Sequence, residues 1–213
     1  MNRFKLPTGI YAITDSECGK DKEFLTYCEE LLQGGAKIIQ YREKSRDMKK
    51  LFKEAKELKI LTQKYNAIFI VNDHLDIALL VDADGIHIGQ DDLPISEVRK
   101  VLGKNKIIGI STHNLNEAEE AVKNGADYIG VGPIFHTDTK KDAGNPLTLN
   151  FLEEVEKNIN LPYTVIGGIK ESNLDEVLSR GAKSVCLISE LICNENTLQI
   201  TKRIDEKIKN FFN

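Results

Sequence analysis

An α/β fold with eight βα units closed into a barrel, the (β/α)8 or TIM barrel, is what this 213-residue sequence predicts, on three observations. Short apolar runs alternate with longer amphipathic segments along the whole length, the pattern of strands feeding helices. Gly35-Ala36-Lys37, Ala83-Asp84-Gly85, Gly125-Ala126-Asp127 and Gly181-Ala182-Lys183 each stand between a helical and an extended segment. Glycine there takes the left-handed turn that ends a helix without a Cβ penalty. Eight units in 213 residues is about 27 residues each, the scale of a compact barrel. No Pro/Gly/Ser-rich linker or composition shift divides the chain, so residues 1–213 are expected to form a single domain. The competing architecture is an open doubly wound sheet, but no G-x-G-x-x-G opens a helix, and eight strands fit closure better.

The elements follow in order. Gly9–Thr14 is the first predicted strand, and Glu23–Gln33 the first helix, with Phe24, Leu25, Cys28, Leu31 and Leu32 on its apolar side. Ala36–Tyr41 is the second strand. Asp47–Tyr65 is a long helix carrying Leu51, Ala55, Leu58 and Leu61 or Thr62 at helical spacing. Phe69–Val71 and Gly85–Ile88 are two short buried strands, separated by a helical turn through Leu75, Ala78 and Leu79. A helix starts near Pro94, where the missing N–H costs little. Then come strand Lys106–Ile110, helix Asn116–Lys123, strand Asp127–Val131 and a long polar loop, Gly132–Pro146. The remainder reads as helix Thr148–Asn158, strand Tyr163–Ile166, helix Asn173–Ser179, strand Ser184–Ile188 and helix Asn196–Phe211.

Hydrophobic residues make up 41% and charged residues 29%, enough for a packed core and too apolar for disorder. A net charge of −4 argues against a nucleic-acid or membrane-surface partner, so any anion site must be built locally. The cysteines Cys18, Cys28, Cys186 and Cys193 show no C-x-x-C pairing, and Cys186 reads as a small core residue. Nothing in them demands an oxidising compartment. The amino end lacks a signal-peptide pattern, and no run approaches ~18 apolar residues, so the expected location is cytoplasmic.

Residues just past the carboxyl ends of parallel strands share one rim, where α/β proteins place their sites. Phe69-Ile70-Val71 breaks into Asn72-Asp73, and Gly85-Ile86-His87-Ile88 into Gly89-Gln90-Asp91-Asp92. Asp73 and Asp92 are therefore two carboxylates on neighbouring loops, hard oxygen ligands of the kind that suit one Mg²⁺ with water and phosphate. Asp after a strand also commonly caps the next helix.

Gln40, Arg42 and Lys44 alternate along one strand end and so point the same way; a guanidinium fork with a point charge suits a diphosphate. The bland reading is a solvated charge cluster, which would not need Gln40 in a strand. Ser111 either donates to a ligand or caps the following helix. His113 is equally a packed histidine or a catalytic one. The loop from Gly132 carries Thr137, Thr139, Lys140 and Lys141, hydroxyls and cations that fit a phosphate, and loops of this length are usually functional or disordered. Gly167-Gly168 and Ile188-Ser189 follow the last two strands, where such barrels frequently bind phosphate. One anion site is thus equipped for a diphosphate and another for a monophosphate. No nucleophile–base pair stands at recognisable spacing, so metal-assisted departure of diphosphate fits better than covalent catalysis.

The stretches QYREK (Gln40–Lys44), VND (Val71–Asp73), DGIHIGQDD (Asp84–Asp92), GISTH (Gly109–His113), GPIFHTDTKKD (Gly132–Asp142) and IGGI (Ile166–Ile169) together resemble thiamine phosphate synthases over nearly the whole chain. The resemblance implies a transferase of thiamine biosynthesis on a (β/α)8 barrel. Its reaction joins 4-amino-2-methyl-5-hydroxymethylpyrimidine diphosphate to a thiazole phosphate, giving thiamine phosphate and diphosphate, with CO₂ when the thiazole carries a carboxylate. It further implies that Gln40, Tyr41, Arg42, Glu43, Lys44, Asn72, Ser111 and Lys140 hold the pyrimidine diphosphate. Thr137, Asp138, Thr139, Gly168, Ile188 and Ser189 would hold the thiazole phosphate, and Asp73 and Asp92 one Mg²⁺. Ser111, Lys140 and Arg42 would carry the catalysis. His136 stands where the family more often has Pro, and Tyr41 where Leu or Phe is usual.

Two rival readings bear on the same residues. A thiazole tautomerase of this fold would have no use for Asn72, Asp73, Asp92 and Lys140. A thiamine-responsive sensor would need an output module, and no helix-turn-helix or basic patch is present. The expected partners are two phosphorylated small molecules, with no nucleic acid and no membrane; a homo-oligomer is compatible with the helix faces.

Overall fold

The computed structural model describes residues 4–19, 22–139 and 144–212. The chain order is β1 (Gly9–Ile13), α1 (Phe24–Gln33), β2 (Ile38–Tyr41), α2 (Met48–Lys64), β3 (Ile68–Asn72), α3 (Leu75–Leu80), β4 (Gly85–Ile88), α4 (Ile95–Leu102) and β5 (Ile107–Thr112). It continues with α5 (Leu115–Asn124), β6 (Tyr128–Val131), α6 (Leu149–Asn158), β7 (Tyr163–Val165), α7 (Leu174–Leu178), β8 (Ser184–Leu187), α8 (Ser189–Ile192) and α9 (Thr197–Phe212). The eight strands are all parallel, each paired with its neighbour in sequence, and β8 returns to β1 to close the barrel.

Side chains alternate across this sheet, and two cores result. Tyr11, Ile13, Ile38, Ile70, Tyr128 and Cys186 fill the barrel interior, with Phe4 and Leu6 packed against them. The opposite faces of the same strands, among them Ile10, Ala12, Ile39, Phe69 and Val71, pack under the helices. Helix starts follow the sequence signals: Glu23, Asp47 and Asn114 cap α1, α2 and α5 by accepting from backbone N–H groups three residues on. No helix among the described residues is long and apolar enough to cross a membrane.

Three of the four glycine triplets behave as expected, with φ of 109° at Gly35, 83° at Gly125 and 87° at Gly181. Gly85 does not. The left-handed turn before β4 is taken by Asp82, at φ 53°. Gly85 lies inside the strand, where a Cβ would collide with the Ile107 backbone of β5, so its role is close approach rather than a turn.

The end of the barrel opposite the rim is tied by charge. Asp84 accepts from Phe69 N at 2.8 Å and pairs with Lys59 at 2.7 Å. Asp127 does the same one repeat later, accepting from Ile108 N at 2.8 Å and pairing with Arg99. Cys18 and Cys193, 175 residues apart, form a disulfide that fastens the β1–α1 loop to the end of α8. The sequence offered no spacing signal for that pair.

Candidate active site

The β2 rim behaves as strand alternation dictates. Gln40, Arg42 and Lys44 line a cavity of about 400 Å³ at the carboxyl ends of the strands, a size typical of small-molecule sites. Tyr41 and Glu43 do not line it. The Tyr41 hydroxyl donates to Glu54 Oε2 at 2.8 Å in the helix layer. Glu43 is buried beside Arg46, 3.8 Å away, and burial pushes its carboxyl above the usual range. The side chains of these two expected pyrimidine contacts therefore serve the wall of the site.

Arg42 is held from the preceding strand. Its backbone N–H donates to Thr14 Oγ1 at 2.9 Å, and its guanidinium donates to Asp15 Oδ2 at 3.1 Å. Asp15 also accepts through Oδ1 from the N–H groups of Glu17 and Cys18, which folds the β1–α1 loop around it. Asp15 escaped the sequence reading, although it follows a strand just as Asp73 does.

Asn72, Asp73 and Asp92 line the same cavity. Asp73 sits at φ 59°, and its N–H donates to His87 O at 2.9 Å. Partial burial, and then the facing Asp92 carboxylate, raise the Asp73 carboxyl above its ordinary value, while Lys44 works in the opposite sense. Neither acid caps a helix: the N-cap positions of α3 and α4 are His74 and Pro94, without side-chain caps. Asp92 Oδ2 instead accepts from Gly89 N at 2.6 Å, closing its own loop.

The Asp73 carboxyl, its proton affinity raised and Asp92 facing it, forms with Asp92 a donor set that a hard divalent cation would relieve. Among the described residues no group of three or more His, Cys, Asp or Glu is placed to hold a metal. The remaining coordination would come from substrate oxygens and water, which is how Mg²⁺ usually binds.

Ser111 does not cap the helix that follows it. Asn114 caps α5, and Ser111 Oγ lies 3.0 Å from His87 Nε2 inside the cavity. Its carbonyl accepts from Gln90 Nε2 at 2.6 Å. His113 pairs through Nδ1 with Glu117 at 2.9 Å.

A second concavity lies beside the first, lined by Thr137, Thr139, Gly167, Gly168, Ile188 and Ser189 among others. Gly168 has φ 62°, and a Cβ there would strike the carbonyl of His136. Ser189 opens the short helix α8. Asp138 does not join this group; it is turned to solvent against His136, at 3.2 Å. Lys140 lies outside the described residues. The two concavities share Ser111, His113, Thr139, Ile166 and Ile188, so they are halves of one site.

Residues 10–191 match the family described as thiamine monophosphate synthase. The chain belongs to the thiamine monophosphate synthase family. Among relatives, the thiamine-phosphate synthase of Shouchella clausii is 50% identical over 186 residues, 87% of this chain and 89% of that one. The corresponding protein of Halalkalibacterium halodurans is 49% identical, over 88% of this chain and 89% of its own. The structure of thiamine phosphate pyrophosphorylase from Pyrococcus furiosus superposes with a TM-score of 0.88 at 34% identity, covering 97% of this chain and 98% of that one. As a thiamine monophosphate synthase family member the chain is a transferase of thiamine biosynthesis, and its barrel is the one the sequence predicted.

The residues the sequence reading missed are Asp15, Tyr11, Tyr128 and His87. The last three are polar positions facing inward on strands. Strand alternation marks such positions, since Tyr11 and His87 are each flanked by apolar residues that pack outward.

Proposed function

We propose that this chain couples 4-amino-2-methyl-5-hydroxymethylpyrimidine diphosphate with a thiazole phosphate to form thiamine phosphate and diphosphate. The observation that carries the reading is the joined pair of concavities. One is walled by Arg42, Lys44 and the Asp73/Asp92 carboxylates, the other by Gly167, Gly168 and Ser189, with Ser111 common to both.

In this reading the pyrimidine diphosphate lies over Gln40 and Asn72, with its diphosphate toward Arg42, Lys44 and Lys140. The thiazole phosphate lies against the Gly167–Gly168 backbone, Ser189 and the hydroxyls of Thr137 and Thr139. Bound at Asp73 and Asp92, one Mg²⁺ would neutralise charge on the diphosphate oxygens. The methylene C–O bond breaks with its electron pair leaving on diphosphate, and the cations stabilise that charge as it develops. The aminopyrimidine ring supports the methylene cation, and the thiazole nitrogen lone pair forms the new C–N bond. No strong general base is required, and burial of the reacting atoms between the two halves keeps water from competing. Both substrates are phosphorylated small molecules, the whole of residues 1–213 acts as one catalytic unit, and the cytoplasm is the expected location.

The test is a product assay with both substrates, with and without Mg²⁺, beside Asp92→Ala. Mg²⁺-dependent formation of thiamine phosphate and diphosphate, lost in the variant, supports the reading. Thiazole isomerisation without coupling overturns it in favour of a tautomerase.

A further inference from the structure

A chain of hydrogen bonds runs through the barrel interior from one substrate-facing residue to another. Gln40 Nε2 donates to Tyr11 Oη at 2.7 Å. Tyr11 Oη and Tyr128 Oη are 2.7 Å apart, Tyr128 Oη and His87 Nδ1 2.9 Å, and His87 Nε2 and Ser111 Oγ 3.0 Å. The chain joins β2, β1, β6, β4 and β5 in turn. Room is left for it by two glycines: a Cβ at Gly109 would collide with the Tyr128 ring, and one at Gly130 would lie 3.2 Å from His87 Cε1. Burial pushes both tyrosine hydroxyls far up, so each keeps its proton and remains a donor.

One continuous direction for the protons starts at the first link. Tyr11 Oη accepts from Gln40 and can pass its own proton to Tyr128, and Tyr128 its proton to His87 Nδ1. A neutral imidazole that accepts at Nδ1 donates from Nε2. In that direction Ser111 Oγ accepts from His87, and its own O–H is left for the cavity that it lines.

We propose that Tyr11, Tyr128 and His87 are positioning residues that fix Ser111 as a hydrogen-bond donor to the substrate and couple it to Gln40. The inference rests on the reading that Ser111 and Gln40 meet the pyrimidine substrate. Occupancy of Gln40 by the aminopyrimidine holds its amide orientation, and that orientation sets the polarity of every link down to Ser111.

Two measurements test it, the first independent of activity. The ¹⁵N NMR signals of the His87 imidazole in the ligand-free protein are expected to report the neutral Nε2–H tautomer. An Nδ1–H tautomer or an imidazolium overturns the proposal, because either leaves the chain running the other way or broken. The second is a double-mutant cycle on kcat, Tyr128→Phe against Ser111→Ala. Tyr128→Phe alone is expected to lower kcat about tenfold with KM changed less than about threefold, and to add nothing in the Ser111→Ala background. A loss that multiplies in full with Ser111→Ala, or no loss at all, overturns it. Tyr11→Phe, which cuts the chain one link away from His87, repeats the cycle should Tyr128→Phe fold poorly. Failure of coupling activity altogether would count against the proposed function, while the NMR result would still decide the polarity of the chain.

Discussion

The Arg42 guanidinium donates to Asp15 Oδ2 at 3.1 Å, joining the loop after β1 to the end of β2 through two largely buried side chains. In the proposed function Arg42 would thereby be aimed before the diphosphate arrives, which would remove part of the ordering cost of binding. Its partner comes from a loop that Asp15 itself folds.

Asp15→Ala is expected to raise the KM for the pyrimidine diphosphate about tenfold, because Arg42 loses its anchor. The KM for the thiazole phosphate should change little, since that half of the site lies across the cavity. Steady-state kinetics varying each substrate separately decide it, and equal rises in both KM values would refute the anchoring role.

Asp73 and Asp92 give a pH and metal prediction. The Asp73 carboxyl is raised in the folded state, by partial burial first and by Asp92 second. Between the unfolded value and the raised folded one, the native state binds more protons, so metal-free stability falls as pH rises through that window. At neutral pH the carboxylate pair is a standing repulsion that a bound Mg²⁺ would relieve. Wild-type Tm should therefore rise with Mg²⁺, by about 2.7 kcal/mol of stability at a hundredfold excess over Kd. Asp92→Asn should match or exceed the wild-type Tm without metal and lose the Mg²⁺ response. Thermal melts across pH with and without Mg²⁺ check both halves.

Gly168→Ala places a Cβ against the carbonyl of His136 at a residue with φ 62°. The strain is expected to cost about 1–3 kcal/mol and to displace the loop that carries Thr137 and Thr139. Denaturant unfolding should register the loss, and the KM for the thiazole phosphate should rise about tenfold while that for the diphosphate substrate moves much less. An unchanged unfolding midpoint would show that the loop yields freely.

The Cys18–Cys193 link spans 175 residues. Closing so long a loop stabilises by up to about 5 kcal/mol in the chain-entropy account. A reductant should lower Tm in the wild type and leave the Cys18→Ser/Cys193→Ser double variant unaffected. Because the link ties the β1–α1 loop to α8, reduction should also loosen the loop bearing Asp15 and the short helix bearing Ser189. In a reducing compartment the pair would stand as thiols.

What the sequence determined by itself was everything written in short range. Alternation of apolar residues along strands, helical spacing between them and glycine punctuation gave eight βα units, because these patterns reflect backbone periods of 2 and 3.6 that act over a few residues. The same alternation separated Gln40, Arg42 and Lys44, which face the cavity, from Tyr41 and Glu43, which do not. It also placed Asn72, Asp73, Asp92, Ser111, Gly168 and Ser189 on one rim.

Tertiary structure alone decided which distant residues meet. Closure sets β8 beside β1 and fixes a register that puts Asn72 opposite His87 and Ser111 opposite Gly130. Only that register creates the interior chain from Gln40 to Ser111, the Arg42–Asp15 pair and the Cys18–Cys193 link. None of these carries a local spacing signal, since their partners lie from 24 to 175 residues apart. The turn of Asp138 toward solvent and the use of Asp82 rather than Gly85 for the left-handed turn were likewise settled by packing. Local periodicity specifies elements, and the closed barrel specifies neighbours.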